Sequence, residues 1–385
     1  MKNKLILLLI CFVLIGIGTA CGNEAKNKPD QMSASNHDMK TLAIKEKPPA
    51  ERKKTISLAA IGDILIHDRV YNVAKTKEGY DFKPFLKKVK PTLQAADITF
   101  ANQETMIGGE EIGLSSYPSF NSPYEVGDAL KDAGVQIVSM ANNHTLDRGE
   151  MAIQNAIHHW ENIDMKYVGS YKDDLDRSEL RVIETDAGIS VAFLAYTYGT
   201  NGIPVPEGKD FLVNLIDEDK IASEIELVKE QADVVVVSYH FGNEYERMPS
   251  EEQKYLVQLA ADHGAHLVIG HHPHVLQPIE WIEGKNGNHM LAVYSLGNFL
   301  SGQDGLYKQI GGIFECEISK TFGENERIEI HSPKFMPTYV PYGEWIVTPM
   351  HELTDDELPN ADTHYKEIKQ HLSQYVPELE FKEEQ

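Results

Sequence analysis

Apolar residues recur along this chain in short blocks of two kinds, and the order of those blocks sets the predicted fold. Runs at 56–61, 97–101, 135–140, 190–195, 234–238 and 266–269 are short, apolar and bounded by polar or turn-forming residues, which predicts buried strands. A further short strand is expected near 181–184. Segments with helical spacing at about 71–76, 84–94, 124–133, 151–161 and 217–230 fall between them. Strand meeting helix repeatedly at this spacing predicts a layered α/β architecture. Beyond Gln277 the pattern shifts to strands separated by turns, at 278–283, 290–295, 312–318 and 327–330. A mixed sheet or a second packed sheet is expected there rather than further crossovers. From about Thr354 to Gln385 charge dominates, which predicts one or two amphipathic helices or a frayed end.

The N-terminus carries a different signal. Lys2 and Lys4 precede the apolar run 5–17, and Gly18-Thr19-Ala20-Cys21 forms the small-residue end of a secretory leader. Cys21 followed by Gly22-Asn23 is similar to a bacterial lipobox, so Cys21 is the expected lipidated first residue of a mature protein on the outer face of the cell membrane. A leader cut by ordinary means, or kept as an anchor, is the alternative. Residues 21–54 are polar and proline-containing, which predicts a flexible tether whose ends lie roughly 30 Å apart. The expected organisation is therefore a leader at 1–20, a tether at 21–54, a folded domain at 55–350 and a charged helical tail at 351–385.

Composition narrows the partners. Thirty-six Lys and Arg against 59 Asp and Glu give a net charge of −23, which excludes nucleic acid as a general partner. The same surface repels polyanions unless a metal or a local basic patch offsets it. With Cys11 in the leader and Cys21 at its end, Cys316 is left alone in the domain, so no intrachain disulfide is expected. Alternation along 314–318 puts Cys316 on the apolar face of a strand, as a buried, inert thiol.

Five predicted strands end in residues with metal or proton chemistry: Asp63, Glu104, Asn143-His144, His240 and His272 with His274. The stretch Gly270-His271-His272-Pro273-His274 follows an apolar run, and in an extended segment His272 and His274, two apart, point to one face. Each feature has a plainer reading: Asp63 as a helix N-cap, Glu104 as a solvated loop acid, Asn143-His144 as a turn pair, the histidines as loop or core residues. Together, carboxylate, amide oxygen and imidazole at one sheet edge suit one or two divalent ions such as Mn²⁺, Zn²⁺ or Fe²⁺.

These blocks, in order, resemble the CapA family of bacterial capsule or poly-γ-glutamate biosynthesis proteins, whose domain is similar to calcineurin-type metallophosphatases. The resemblance spans about 56–300. It rests on Gly62-Asp63 with Asp68-Arg69, Asn102-Gln103-Glu104, Asn142-Asn143-His144 with Asp147, Ser238-Tyr239-His240-Phe241-Gly242 with Glu244-Tyr245, the histidine stretch with Gln277, and Tyr294-Ser295-Leu296-Gly297-Asn298-Phe299. It implies a four-layer α/β/β/α sandwich, with Asp63, Asn143, His240, His272 and His274 as metal ligands and Glu104 in the place of a bridging aspartate. His144 takes the place of the general acid, with Arg69 and Asp147 as further catalytic candidates. Arg69 binds an anionic group or pairs with Asp68 or Asp147. Tyr245 and Asn298 line the pocket or support backbone. The sequence departs from the metallophosphatase pattern at Leu65, where a histidine is usual, and His67 stands four rather than two residues after Asp63. The implied role is synthesis, export or surface attachment of an anionic polymer such as poly-γ-glutamate, alongside membrane polymer-synthesis proteins. The competing readings are a non-catalytic polymer-binding scaffold and a general surface metallophosphoesterase.

Overall fold

A computed structural model of the protein describes residues 52–323 and 325–383. The leader, Cys21 and the tether up to residue 51 lie outside the described residues, while residues 52–54, expected as tether, already belong to the first strand. Among the described residues no helix is long and apolar enough to cross a membrane.

The chain opens in β1 (Arg52–Leu65), to which β2 (Ile98–Gln103), β3 (Ile137–Ser139) and β4 (Lys166–Val168) add in succession, all parallel. Between them run α1 (Asp68–Ala74), α2 (Lys83–Leu86), α3 (Lys90–Ala95), α4 (Glu125–Asp132) and α5 (Gly149–Asn162). The single helix predicted at 84–94 is two, because Pro91 has no N–H to donate and its ring clashes with the carbonyl of Lys87. After α6 (Asp174–Ser178) a second sheet forms from β5 (Val182–Glu184), β6 (Ser190–Thr197), β7 (Val234–His240) and β8 (Leu267–His271). Helices α7 (Glu218–Val228) and α8 (Glu251–His263) connect its parallel strands. The apolar spacing leaves α8 unpredicted, since its buried stripe carries Gln253 and two alanines; the usable signal is the capping box of Ser250 and Gln253 and the left-handed Gly264 that stops it.

The strands beyond Gln277 do not form a sheet of their own. β9 (Leu276–Glu283) and β10 (His289–Leu296) complete the second sheet in the order β5-β6-β7-β8-β10-β9. The chain then crosses back at Gly297, and β11 (Asn298–Ser301) pairs with the end of β1. β12 (Ile310–Phe322) extends the first sheet antiparallel to β1, β13 (Arg327–Tyr339) pairs antiparallel to β12, and β14 (Thr348–Pro349) pairs antiparallel to β13. The C-terminal segment is no loose tail: α9 (Ala361–Leu372) buries Tyr365, Ile368 and Leu372, and β15 (Glu380–Phe381) pairs with β13.

Period-two alternation explains the layers. On β1, Ala59 and Ile61 face the α1–α5 side, whereas Leu58 and Ala60 face the other sheet. On β7, Val234 and Val236 point inward while Val235 and Val237 meet α7 and α8. Phe100 of β2 and Phe193 of β6 stack across the interior at 5.7 Å. Two sheets face to face with helices outside each make the α/β/β/α sandwich that the sequence implied. At the sheet crossing Gly62 is obligatory: a Cβ there would lie 2.0 Å from the Gly297 carbonyl oxygen, whose bond from the Asp63 N–H (2.9 Å) fixes Asp63 beside Asn298.

Candidate metal centre

The carboxyl ends of β1, β2, β3, β7 and β8 meet at one edge of the sandwich, the place where open α/β sheets gather ligands. Two wholly buried groups of side chains there each bring their donor atoms within 4.8 Å of one another: Asp63, Glu104 and His274, and Glu104, His240 and His272. Glu104 belongs to both. His274 Nδ1 lies 3.2 Å from Asp63 Oδ2, and its Nε2 lies 3.8 Å from Glu104 Oε1. His240 Nε2 is 3.6 Å from the same Glu104 oxygen and 2.8 Å from Asn143 Oδ1. All six residues are buried.

This donor set fits divalent cations. Asp63 Oδ2, both Glu104 oxygens and His272 Nδ1 are buried with no hydrogen-bond partner, an arrangement that is costly unless positive charge meets it. The plainer readings of Asp63 and Glu104 fail on the same facts: Asp63 lies within β1 and caps no helix, and Glu104 is not solvated.

Protons partly occupy the cluster in the absence of metal. Burial alone would lower the His274 imidazole, but Glu104 and Asp63 beside it hold it up at about 9. Burial pushes the Glu104 carboxyl well above its ordinary range. Burial likewise raises Asp63, yet the His271 and His274 imidazoles beside it outweigh that and hold the carboxyl well below the usual range. His240 and His272 are pushed down by burial, His272 to about 3, so both are neutral and ready to ligate. A metal ion must therefore displace the His274 proton. Metal affinity is expected to rise with pH until about 9, losing up to about tenfold per pH unit below that for each proton displaced. The linked stability has the opposite sign: the raised His274 value supports the metal-free fold below about pH 6.5, and that support fades as pH rises through 9. Titrating Mn²⁺ in buffers of different ionisation enthalpy counts the displaced protons, and thermal melts in chelator over the same pH range follow the linked stability; a pH-independent affinity between pH 6 and 9 would remove this account.

The histidine stretch departs from the expected extended conformation. After β8, His272 (φ +98°) and His274 (φ +59°) both take positive φ, and this turn, not strand alternation, brings their rings to 5.9 Å. Such backbone costs ~1–3 kcal/mol per residue and persists only where its surroundings impose it. Gly270, immediately before, has no room for a Cβ, which would lie 2.0 Å from the Tyr294 carbonyl oxygen.

Beside the cluster, His144 Nδ1 makes a 2.7 Å bond to Asp147 Oδ2, which also accepts the Phe120 N–H at 2.8 Å. Phe120 packs edge-on against the His144 ring, with centroids 4.7 Å apart. Asp147 thus fixes the ring and its tautomer and leaves Nε2 as the nitrogen free to exchange a proton.

Arg69 is not part of the cluster. Its guanidinium is exposed, pairs with Asp304 at 2.8 Å and stacks over Tyr342, and has neither of the expected acidic partners. His67 does not replace the histidine missing at Leu65: its Nδ1 lies 3.0 Å from the Leu65 carbonyl oxygen and 3.1 Å from the Gly302 N–H. The sequence reading passed over His271, which is fully buried with Nδ1 3.4 Å from Asp63 Oδ1. It also passed over Asn102, which donates to that oxygen at 2.9 Å. Their only signal was position: His271 stands one residue before His272, and Asn102 two residues before Glu104. Asn298 serves both offered roles, with Oδ1 3.1 Å from His274 Nδ1 and Nδ2 donating to the Lys308 carbonyl. Tyr245 is half exposed, its ring 6.1 Å from that of His274.

A family profile described as "Bacterial capsule synthesis protein PGA_cap" matches residues 57–303. The capsule biosynthesis protein CapA of Bacillus anthracis is 29% identical over 276 residues, 69% of this chain and 64% of that protein. The PGA biosynthesis protein CapA of Bacillus subtilis (strain 168) is 28% identical over 266 residues, 64% of each chain. The chain thus spans about 64% of the length of these two curated relatives. Among solved structures, the calcineurin-like phosphoesterase YfkN from Bacillus subtilis aligns with a TM-score of 0.40 at 14% identity, over 73% of this chain and 91% of that one.

Proposed function

The chain belongs to the bacterial capsule synthesis protein family, and from that premise we propose that it serves the synthesis, export or surface attachment of an anionic capsule polymer through a metal-dependent, hydrolase-type site. Poly-γ-glutamate is the first candidate polymer, since PGA biosynthesis is what the B. subtilis relative is named for. In this reading Cys21 carries the lipid that holds the protein on the outer face of the cell membrane, where membrane polymer-synthesis proteins are its partners.

The observation that carries the proposal is the pair of ligand groups sharing Glu104, with the His144–Asp147 pair alongside. Asp63, Glu104 and His274 would hold one divalent ion, and Glu104, Asn143, His240 and His272 a second. When bound, such ions supply positive charge to an oxygen on which negative charge develops, at a phosphoryl or an amide carbonyl group. The residues do the rest. Asn102 and His271 orient Asp63, His144 delivers a proton to the leaving group through Nε2, and Asp147 holds that imidazole in place. One observation favours a scaffold that keeps the pocket without turnover: Leu65 leaves the Asp63 position one histidine short of the metallophosphatase pattern.

The test is genetic and chemical together. Deleting the gene is expected to abolish surface polymer, the full chain to restore it, and Cys21→Ser to lose acyl-chain labelling and fail to restore it. Polymer unchanged in the deletion strain would sink the capsule role, and acyl labelling retained in Cys21→Ser would sink the anchor.

A further inference from the structure

Glu244 stands on the loop after β7 and belongs to neither of the two buried ligand groups. Its carboxylate nevertheless lies within 4.8 Å of one nitrogen each of His272 and His274. His272 serves the position it shares with Glu104 and His240, and His274 the position it shares with Asp63 and Glu104. A carboxylate within reach of one ligand from each group stands between the two positions. Glu104 does so from the buried floor, whereas Glu244 is exposed and does so from the solvent side.

The loop that carries Glu244 is built to hold it there. Gly242 takes φ +92° and lets the Gln253 side chain pack where a Cβ would be, 2.4 Å away. Gln253 donates to Gln277 Oε1 at 2.8 Å, and Gln277 in turn donates to the carbonyls of Glu246 at 2.8 Å and Met248 at 3.2 Å. Tyr245 adopts φ +67°, and its N–H donates to the Pro273 carbonyl at 2.8 Å. That bond ties the loop to the turn between His272 and His274, so acid and imidazoles share one frame. A strained tyrosine next to an exposed acid is an expensive way to build a loop with no task.

The ligand inventory gives it one. Among the described residues, the position of His272 has Glu104, His240 and Asn143 besides, whereas that of His274 has only Asp63 and Glu104, with Leu65 where a further histidine would stand and His67 Nδ1 engaged by the Leu65 carbonyl and the Gly302 N–H. We propose that Glu244 is a metal ligand that closes the centre from the solvent side, shared between the two positions and completing the one built on Asp63. The inference rests on the divalent-metal reading of the site.

Mn²⁺ titrated into the metal-free full chain, with free Mn²⁺ read by electron paramagnetic resonance, tests it. The wild type is expected to bind two equivalents, and Glu244→Gln to keep the tighter one while the weaker loses at least the roughly 10–100-fold in affinity that even an outer-shell partner contributes. Because Glu244 is exposed, the melting temperature in chelator should not change. Glu246→Gln, on the same loop, should titrate as wild type. Glu244→Gln binding Mn²⁺ like wild type while His272→Ala loses it would overturn the role of Glu244 and leave the metal centre standing. If His272→Ala also binds like wild type, the metal reading falls and this inference with it.

Discussion

His272→Ala is expected to lose at least one equivalent of bound divalent metal and, with it, the metal-dependent part of the protein's thermal stability. Metal bound only by the folded chain stabilises it by about 2.7 kcal/mol at a hundredfold excess over Kd, so the melting temperature of the variant should fall well below that of wild type in saturating metal. His272 sits at φ +98°, where an alanine is also strained, so part of any loss would come from the backbone. A chelator separates the two causes: strain persists in it, whereas the metal-linked part vanishes for wild type and variant alike. His272 is the cleaner ligand to remove because burial keeps it neutral. His274→Ala should do more harm, since it also strips the counter-charge from Asp63 and Glu104, and removing one partner of a buried charge group leaves the others uncompensated. His274→Ala is therefore expected to destabilise even in chelator. His289→Ala and His331→Ala, away from the cluster, serve as controls. Metal content and melting temperature equal in His272→Ala and the controls would mean the histidine turn holds no ion.

The fold was legible in the sequence where one period decided the matter and obscure where partner choice did. The apolar runs 56–61 and 234–238 identified β1 and β7, but a continuous apolar run does not say which residues turn inward; the packing does. The polar residues closing those runs marked Asp63, Glu104, Asn143, His240, His272 and His274 as neighbours, although sequence alone gives no distance between them. Periodicity says that a run is a strand and not which strand it pairs with, so the strands expected beyond Gln277 in a mixed or second packed sheet divide between the two sheets, with β12 beside β1 and β13 beside β12. Side-chain direction in the histidine stretch was inferred from an extended chain, whereas the backbone turns left-handed at both positions, a state that a His-Pro-His string does not announce. Arg69 shows a further limit: an exposed guanidinium takes whichever acid the tertiary structure offers, and Asp304 lies 235 residues away in the chain. Glu244 is the converse case, an acid on a polar loop whose significance appears only when the Tyr245 N–H is seen to fasten that loop to Pro273.

His144→Asn is expected to leave metal content and fold intact while turnover falls by about 10²–10⁴-fold, the usual contribution of a positioned general acid. The geometry separates these effects, because His144 is outside both ligand groups and its ring is held by Asp147 and Phe120 rather than by ligand residues. The loss should be greatest with substrates whose leaving group needs a proton and should shrink with one that leaves as a stable anion, since a missing proton costs nothing there. Asp147→Asn gives a second handle. Retaining His144 while weakening its orientation, it should lose less activity and shift the pH profile, which a merely structural residue would not do. In cells the two readings of the site diverge. A scaffold needs the pocket and not the proton, so it predicts full surface polymer with His144→Asn and none with His272→Ala, whereas a catalyst predicts loss with both. With equal protein levels verified by immunoblot, full polymer from His144→Asn would end the catalytic reading.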